Sequence, residues 1–342
     1  MIIGGKHFKD ITNIKDGNKD KLHKYLYING REAFASILNK IKKKEIQNIY
    51  IPNYICTSLL DVISRYKLKK IFYEVDNNLE FTVPNVKNSI ILIINYFGKK
   101  KIISKDILKK NIIIEDTTLS VTESKNKIGK TKKNHYFFGS YRKVFTSLFC
   151  GYSSIKNKHE NKKNPEIELL YLNNLAASYL RKNYLNNDHY TKSRSIEKIY
   201  LKIFNKLETF FDKNLLNYGV NQIFLNYFTN ININKEIYIR QKHYKLLEYA
   251  LKNNINDSFI NNKKFSFFIF LSKKKQKLIS YLSDYNIYLT YYWKRPRIFK
   301  KKKISHNLYE NLIYLPTDSI YSHKEVKFML KKINLFIKKY GI

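Results

Sequence analysis

The chain has 342 residues, a formal net charge of +38, and 44% hydrophobic and 15% aromatic content. That much apolar material excludes a disordered or fibrous chain, and the longest apolar runs, 89–97 and 265–271, fall far short of the roughly 20 residues of a membrane-spanning helix. Two cysteines, Cys56 and Cys150, and no Cys/His cluster at metal spacing exclude a disulfide scaffold and a zinc module.

The N-terminal stretch MIIGGKHFKDITNIKDG has no apolar run followed by a small-residue cleavage site, so a secretory signal is not expected and the cytoplasm is the default compartment. The first half then alternates short β-rich apolar runs with helical stretches, the pattern of an α/β chain with a mostly parallel sheet covered by helices. Strands are predicted over 48–52, 70–75, 89–97, 111–115, 136–139 and 148–155. Between the early ones, 31–41 and 57–66 repeat apolar residues at helical spacing. Residues 165–253 read as helical, with LLYLNNLAASYLRKNYL and IEKIYLKIFNKLETFF as the clearest members. A smaller α+β set follows: strand 265–271, helix 274–287, strands 287–293 and 311–316, and a final helix from about His323. The expected division is a large domain over 1–235, containing the helical segment 165–235, and a small α+β domain over 236–342. Basic runs such as KNKIGKTKKN fall between elements and read as solvated loops.

The positive charge has three readings. Lys, Asn, Ile and Tyr are abundant together, which an AT-rich coding sequence produces without selection for binding. Asp and Glu total only 27, which coding bias does not explain and which favours anionic ligands or an anionic surface. Nucleic-acid binding is the third reading, through phosphate neutralisation, and the composition favours it least.

Three stretches carry candidate chemistry. In NIIIEDTTLS an apolar strand delivers Glu115 and Asp116 to its C-terminal end, the edge where open α/β sheets bind ligands. A carboxylate there can pair with a metal, a ribose or the protonated ring nitrogen of pyridoxal phosphate, or can cap a turn. In NHYFFGSYRKVF a second strand ends just before Lys143, whose amine can form a Schiff base with an aldehyde cofactor, with Ser140 as a hydroxyl for its phosphate. In INGREAF a glycine precedes a helix, so the backbone amides of Gly30, Arg31 and Glu32 would point at an anion. The stretch TYYWKRPRIF holds the single tryptophan, Trp293, which reads either as an aromatic platform for a base or sugar or as packing between the two domains.

Taken in order, NGREAF, IPNYICTS, FYEVDNNLE, NYFG, IIIEDTTLS, FFGSYRK and LPTDSIYS resemble the successive signatures of the DegT/DnrJ/EryC1/StrS aminotransferases, from about Tyr27 to the C-terminus. The resemblance implies a fold-type I architecture, with a central seven-stranded sheet and a small C-terminal domain, and pyridoxal 5'-phosphate as cofactor. It implies that Asp116 binds the pyridine nitrogen, that Lys143 bonds the cofactor, and that Gly30, Arg31, Glu32 and Ser140 surround the phosphate. It further implies a homodimer, an amino-acid donor such as glutamate, and a nucleotide-linked keto-sugar acceptor used for surface polysaccharide, with Arg142, Arg295 and Arg297 as candidates for its diphosphate. Lysine-free dehydratases of the same cofactor class can carry histidine in place of the lysine, so Lys143 argues against that reading. Three departures mark an outlying branch: Leu119 where many members carry Gln or His, Ser140 three residues before the lysine instead of five, and Cys150–Gly151 in place of a glycine pair. The alternatives are a catalytically altered relative and a basic nucleic-acid- or anion-binding protein.

Overall fold

The computed structural model describes residues 3–4, 24–41, 46–120, 133–143, 150–160, 162, 164–186, 194–213, 218–220, 225, 233–255, 259–260, 267–289, 293–299 and 307–342. Apart from β1 (Ile3–Gly4), the first seven strands build one sheet: β2 (Leu26–Tyr27), β3 (Asn48–Pro52), β4 (Lys69–Tyr73), β5 (Ile90–Ile94), β6 (Ile112–Asp116), β7 (His135–Ser140) and β8 (Gly151–Ser153). Their order is β4-β3-β5-β6-β7-β8-β2. Every pairing from β4 to β7 is parallel, and β8 runs antiparallel to both of its neighbours. All five residues of β5 and of β6 are buried, as a parallel sheet covered on both faces requires. This is the α/β sheet expected from the sequence. Its seventh strand, β2, is two residues long and has no periodicity to read.

Helix α1 (Gly30–Ile41) follows β2 and buries Phe34, Ile37, Leu38 and Ile41. Helices α2 (Thr57–Ile63) and α3 (Lys105–Lys110) follow β3 and precede β6. The tight contact between β8 and the start of α1 depends on Gly151, where a Cβ would stand 2.1 Å from the Asn29 carbonyl oxygen. The helical segment resolves into α4 (Pro165–Asn186), α5 (Arg194–Lys213) and α6 (Ile233–Leu251). The ring of Tyr171 on α4 lies 6.2 Å from Phe211 on α5.

The remaining elements are β9 (Phe268–Leu271), α7 (Lys275–Ser283), β10 (Ile287–Tyr288), α8 (Asn307–Asn311), β11 (Leu312–Leu315) and α9 (His323–Tyr340). β10 is shorter than the strand expected at 287–293, of which 290–292 lie outside the described residues; it pairs with β1. Residues 144–149, which include the start of the strand expected at 148–155, also lie outside them. β9 and β11 pair antiparallel and separate two apolar cores. Phe267, Ile269, Leu312 and Tyr314 join the core of the large sheet, whereas Phe268, Phe270, Ile313 and Leu315 join a second core with α6, α7 and α9. Side chains alternate along a strand, so one short ribbon seals both. Trp293 completes the junction on the large-core side, its ring 4.6 Å from Tyr54 and 5.9 Å from Tyr96.

Candidate active-site cleft

The five parallel strands end at one edge. β2 lies antiparallel to β8, which lies antiparallel to β7, so the N-terminus of α1 emerges at that same edge. The residues that follow β3, β6 and β7 meet it there in a cleft of about 690 Å³, including its solvent-open part. Asn29, Gly30 and Arg31 form one wall, Asp116, Thr118, Ser140, Arg142 and Lys143 another, and Leu59, Leu119, Phe138 and Trp293 supply apolar surface.

Asp116 is the last residue of β6 and only 5% exposed. The Thr118 backbone N–H donates to its Oδ1 at 2.8 Å. Burial pushes its carboxyl up from 3.8 to about 6, against the opposing pull of the Thr118 hydrogen bonds and the positive charge of Lys143. The strand end is held rigidly. The Asn95 N–H donates to the Asp116 carbonyl at 3.0 Å, the Thr117 N–H to the Phe138 carbonyl at 2.8 Å, and the Thr117 hydroxyl to that carbonyl at 2.9 Å. Glu115, its neighbour on β6, takes the opposite face of the sheet, where Oε1 lies 2.7 Å from His135 Nε2 and Oε2 accepts from the Asn95 amide at 3.2 Å. The paired carboxylates of the sequence therefore split into a structural acid and a cleft acid.

Lys143 closes a 3-10 turn, Tyr141–Lys143, directly after β7. Arg142 beside it is ion-paired with Glu208 of α5. Ser140, at the end of β7, sits against the start of α1: a Cβ on Gly30 would stand 3.2 Å from the Ser140 Cβ and 3.3 Å from the Gly139 carbonyl oxygen. Glycine at position 30 thus lets a helix N-terminus approach a strand end.

Of the residues expected to surround a phosphate, Gly30, Arg31 and Ser140 line the cleft and Glu32 does not. The Glu32 N–H donates to Asn29 Oδ1 at 3.0 Å, capping the helix, so that amide serves the fold. Asn29 itself escaped the sequence reading. The residue is 6% exposed, and its Nδ2 donor has no hydrogen-bond partner although buried at the cleft wall. The signal available was an Asn directly before Gly30, the ordinary position of an N-cap. Leu119, 3% exposed, lines the cleft. Neither Arg295 nor Arg297 does: Arg295 donates to the Phe299 carbonyl at 2.8 Å, and Arg297 lies exposed on the turn Arg297–Phe299.

The architecture matches solved structures. A DegT DnrJ EryC1 StrS aminotransferase from Brucella abortus aligns at TM-score 0.57 and 14% identity over 91% of this chain and 85% of that one. Helicobacter pylori PseC, an aminotransferase involved in the biosynthesis of pseudoaminic acid, aligns at 0.60 and 11% over 96% and 94%. The E. coli GDP-4-keto-6-deoxy-D-mannose-3-dehydratase, with bound hydrated PLP, aligns at 0.59 and 14% over 97% and 100%. No family model and no curated protein matches the sequence. At identities this low the likeness establishes the fold, which is the fold-type I architecture that the ordered motifs resemble.

Proposed function

We propose that the chain is a pyridoxal 5'-phosphate-dependent aminotransferase, acting as a homodimer, that moves an amino group from an amino acid such as glutamate to a keto-sugar carried on a nucleotide for surface polysaccharide. The observation that carries this is the convergence of Asp116, Lys143 and the α1 N-terminus on one cleft. The residues present fit the cofactor. A buried acid held near 6 suits a protonated ring nitrogen, apolar side chains flank it, and the unpartnered Asn29 Nδ2 offers a donor beside a helix start suited to phosphate.

Bound there, pyridoxal phosphate supplies an electron sink for charge developed at the amino-bearing carbon. Asp116, oriented by the Thr118 N–H, holds the proton on the ring nitrogen. Lys143 would hold the cofactor through its Nζ and would serve as the base that holds and moves the proton at the amino-bearing carbon. Ser140 and the Gly30 and Arg31 amides bind the phosphate. Arg142, with its charge shared by Glu208, remains the candidate for a substrate phosphate.

Leu119 on the cleft wall favours one second reading, a relative of the same fold that has lost catalysis. The visible spectrum of the purified protein separates the two. The enzyme reading expects a yellow band that bleaches with glutamate, and a borohydride-trapped adduct on Lys143 that Lys143→Ala does not form. A wild type that stays colourless after incubation with pyridoxal phosphate overturns it.

A further inference from the structure

Away from the cleft, helices α6 and α9 share the second core. On its inner side α6 buries Tyr244, Leu247 and Leu251, and α9 buries Val326, Met329, Ile333 and Phe336. Near their N-terminal ends, Arg240 is ion-paired with Asp318, and the Ser319 N–H donates to Glu236 at 3.4 Å. Near their other ends, the Asn254 amide donates to Asn334 at 3.2 Å. The helices thus run side by side in the same direction, and their outward faces adjoin.

Those faces carry lysines at helical spacing: Lys242, Lys245 and Lys252 along α6 and the turn after it, and Lys327, Lys331 and Lys338 along α9, all exposed. Lys245 and Lys252 border one shallow hollow, and the three α9 lysines border another. Each hollow also holds an exposed apolar tip, Tyr249, 91% exposed, in the first and Leu335, 45% exposed, in the second. The acids of these helices turn mostly to internal partners. Glu236 pairs with buried Arg240, and Glu325 closes the capping box with Ser322, which leaves Glu248 in the first hollow. Six exposed lysines against the single acid Glu248 give the face a positive balance that coding bias, which scatters lysine over a surface, does not by itself arrange.

We infer that this face docks on the anionic phospholipid surface of a bilayer, as a peripheral contact. Charge complementarity argues for it, since each lysine near an anionic leaflet strengthens partitioning about fivefold. The interspersed tyrosine and leucine argue for lipid over nucleic acid, because amphipathic and apolar tips enter the headgroup region. Both stripes lack arginine, the residue that grips phosphate bidentately. No helix among the described residues is long and apolar enough to cross a membrane, so the contact lies on the surface.

The test is co-sedimentation of the full chain with phosphatidylcholine vesicles, with and without phosphatidylglycerol. The expected result is pelleting only with the anionic vesicles, reversed by salt. Lys245→Glu/Lys331→Glu/Lys338→Glu should weaken it by about a hundredfold or more, and Tyr249→Ser/Leu335→Ser should weaken it at unchanged charge. A triple reversal on the exposed part of α3, Lys105→Glu/Lys109→Glu/Lys110→Glu, changes net charge equally and should retain binding. Failure of the wild type to pellet, equal loss in both triple variants, or retention on duplex DNA without vesicle binding overturns the inference. Circular dichroism confirms that each variant is folded.

Discussion

Asp116→Asn separates the cost of the buried acid from its use. The carboxyl rises from 3.8 in the unfolded chain to about 6 in the folded one, so the folded state without cofactor binds its proton more tightly. Its contribution is therefore fully present below about pH 4 and is lost as pH rises through about 6. A shift of about two units at about 1.4 kcal/mol each corresponds to roughly 3 kcal/mol. Asparagine has the same shape, keeps an oxygen to accept the Thr118 N–H, and cannot ionise. Urea unfolding of the cofactor-free proteins should show the variant and wild type nearly equal at pH 4 and the variant more stable by up to about 3 kcal/mol above pH 7. Adding pyridoxal phosphate should reverse the ranking, because only the wild type has an anion to set against the ring nitrogen. A stability difference that does not change with pH would refute the assignment of burial as the dominant influence on this carboxyl.

Three further outcomes follow from the geometry. Asn29→Asp keeps an oxygen to cap the Glu32 N–H and removes the unpartnered donor, so pyridoxal phosphate should bind about tenfold or more weakly, one charge-assisted hydrogen bond being worth about 1.5–3 kcal/mol, while pyridoxal, which lacks the phosphate, should be affected far less; the carboxylate it buries should also make the cofactor-free fold less stable as pH rises, measured by urea unfolding. Gly30→Ala brings a Cβ to 3.2 Å from Ser140 and 3.3 Å from the Gly139 oxygen, so it should cost about 1 kcal/mol in urea and weaken pyridoxal phosphate binding by moving the helix start. Tyr309→Phe removes the hydroxyl that accepts from the Ile55 N–H at 2.8 Å and donates to the Asn53 and Ile55 carbonyls. The stranded amide should cost about 1–3 kcal/mol, measured by urea unfolding.

Much of the cleft was legible in one dimension. An apolar strand ending in an acid and another ending before a lysine place both residues at the same sheet edge, because parallel strands end together. The two-residue periodicity of a strand also means that Glu115 and Asp116 must face opposite ways. Periodicity alone does not say which of them faces the cleft, since that depends on the neighbours that cover each side, His135 and Asn95 on one and the α1 start on the other; only the resemblance singled out Asp116. Asn29 was missed for a similar reason. Its oxygen reads as a cap in sequence, but the burial of its nitrogen without a partner exists only once β8 closes on the loop.

What the sequence by itself determined was local: where the longer strands of the sheet and the longer helices form and which residue types stand at their ends, while the short helices α3 and α8 and the short strands β1 and β2 had no counterpart in the reading. Strand order, the two-residue strand β2, the exclusion of Arg295 and Arg297 from the cleft, and the alternating service of β9 and β11 to two cores were decided by tertiary structure alone. These depend on which apolar faces find one another when the chain closes, and burial is a property of the assembled elements that no single segment carries.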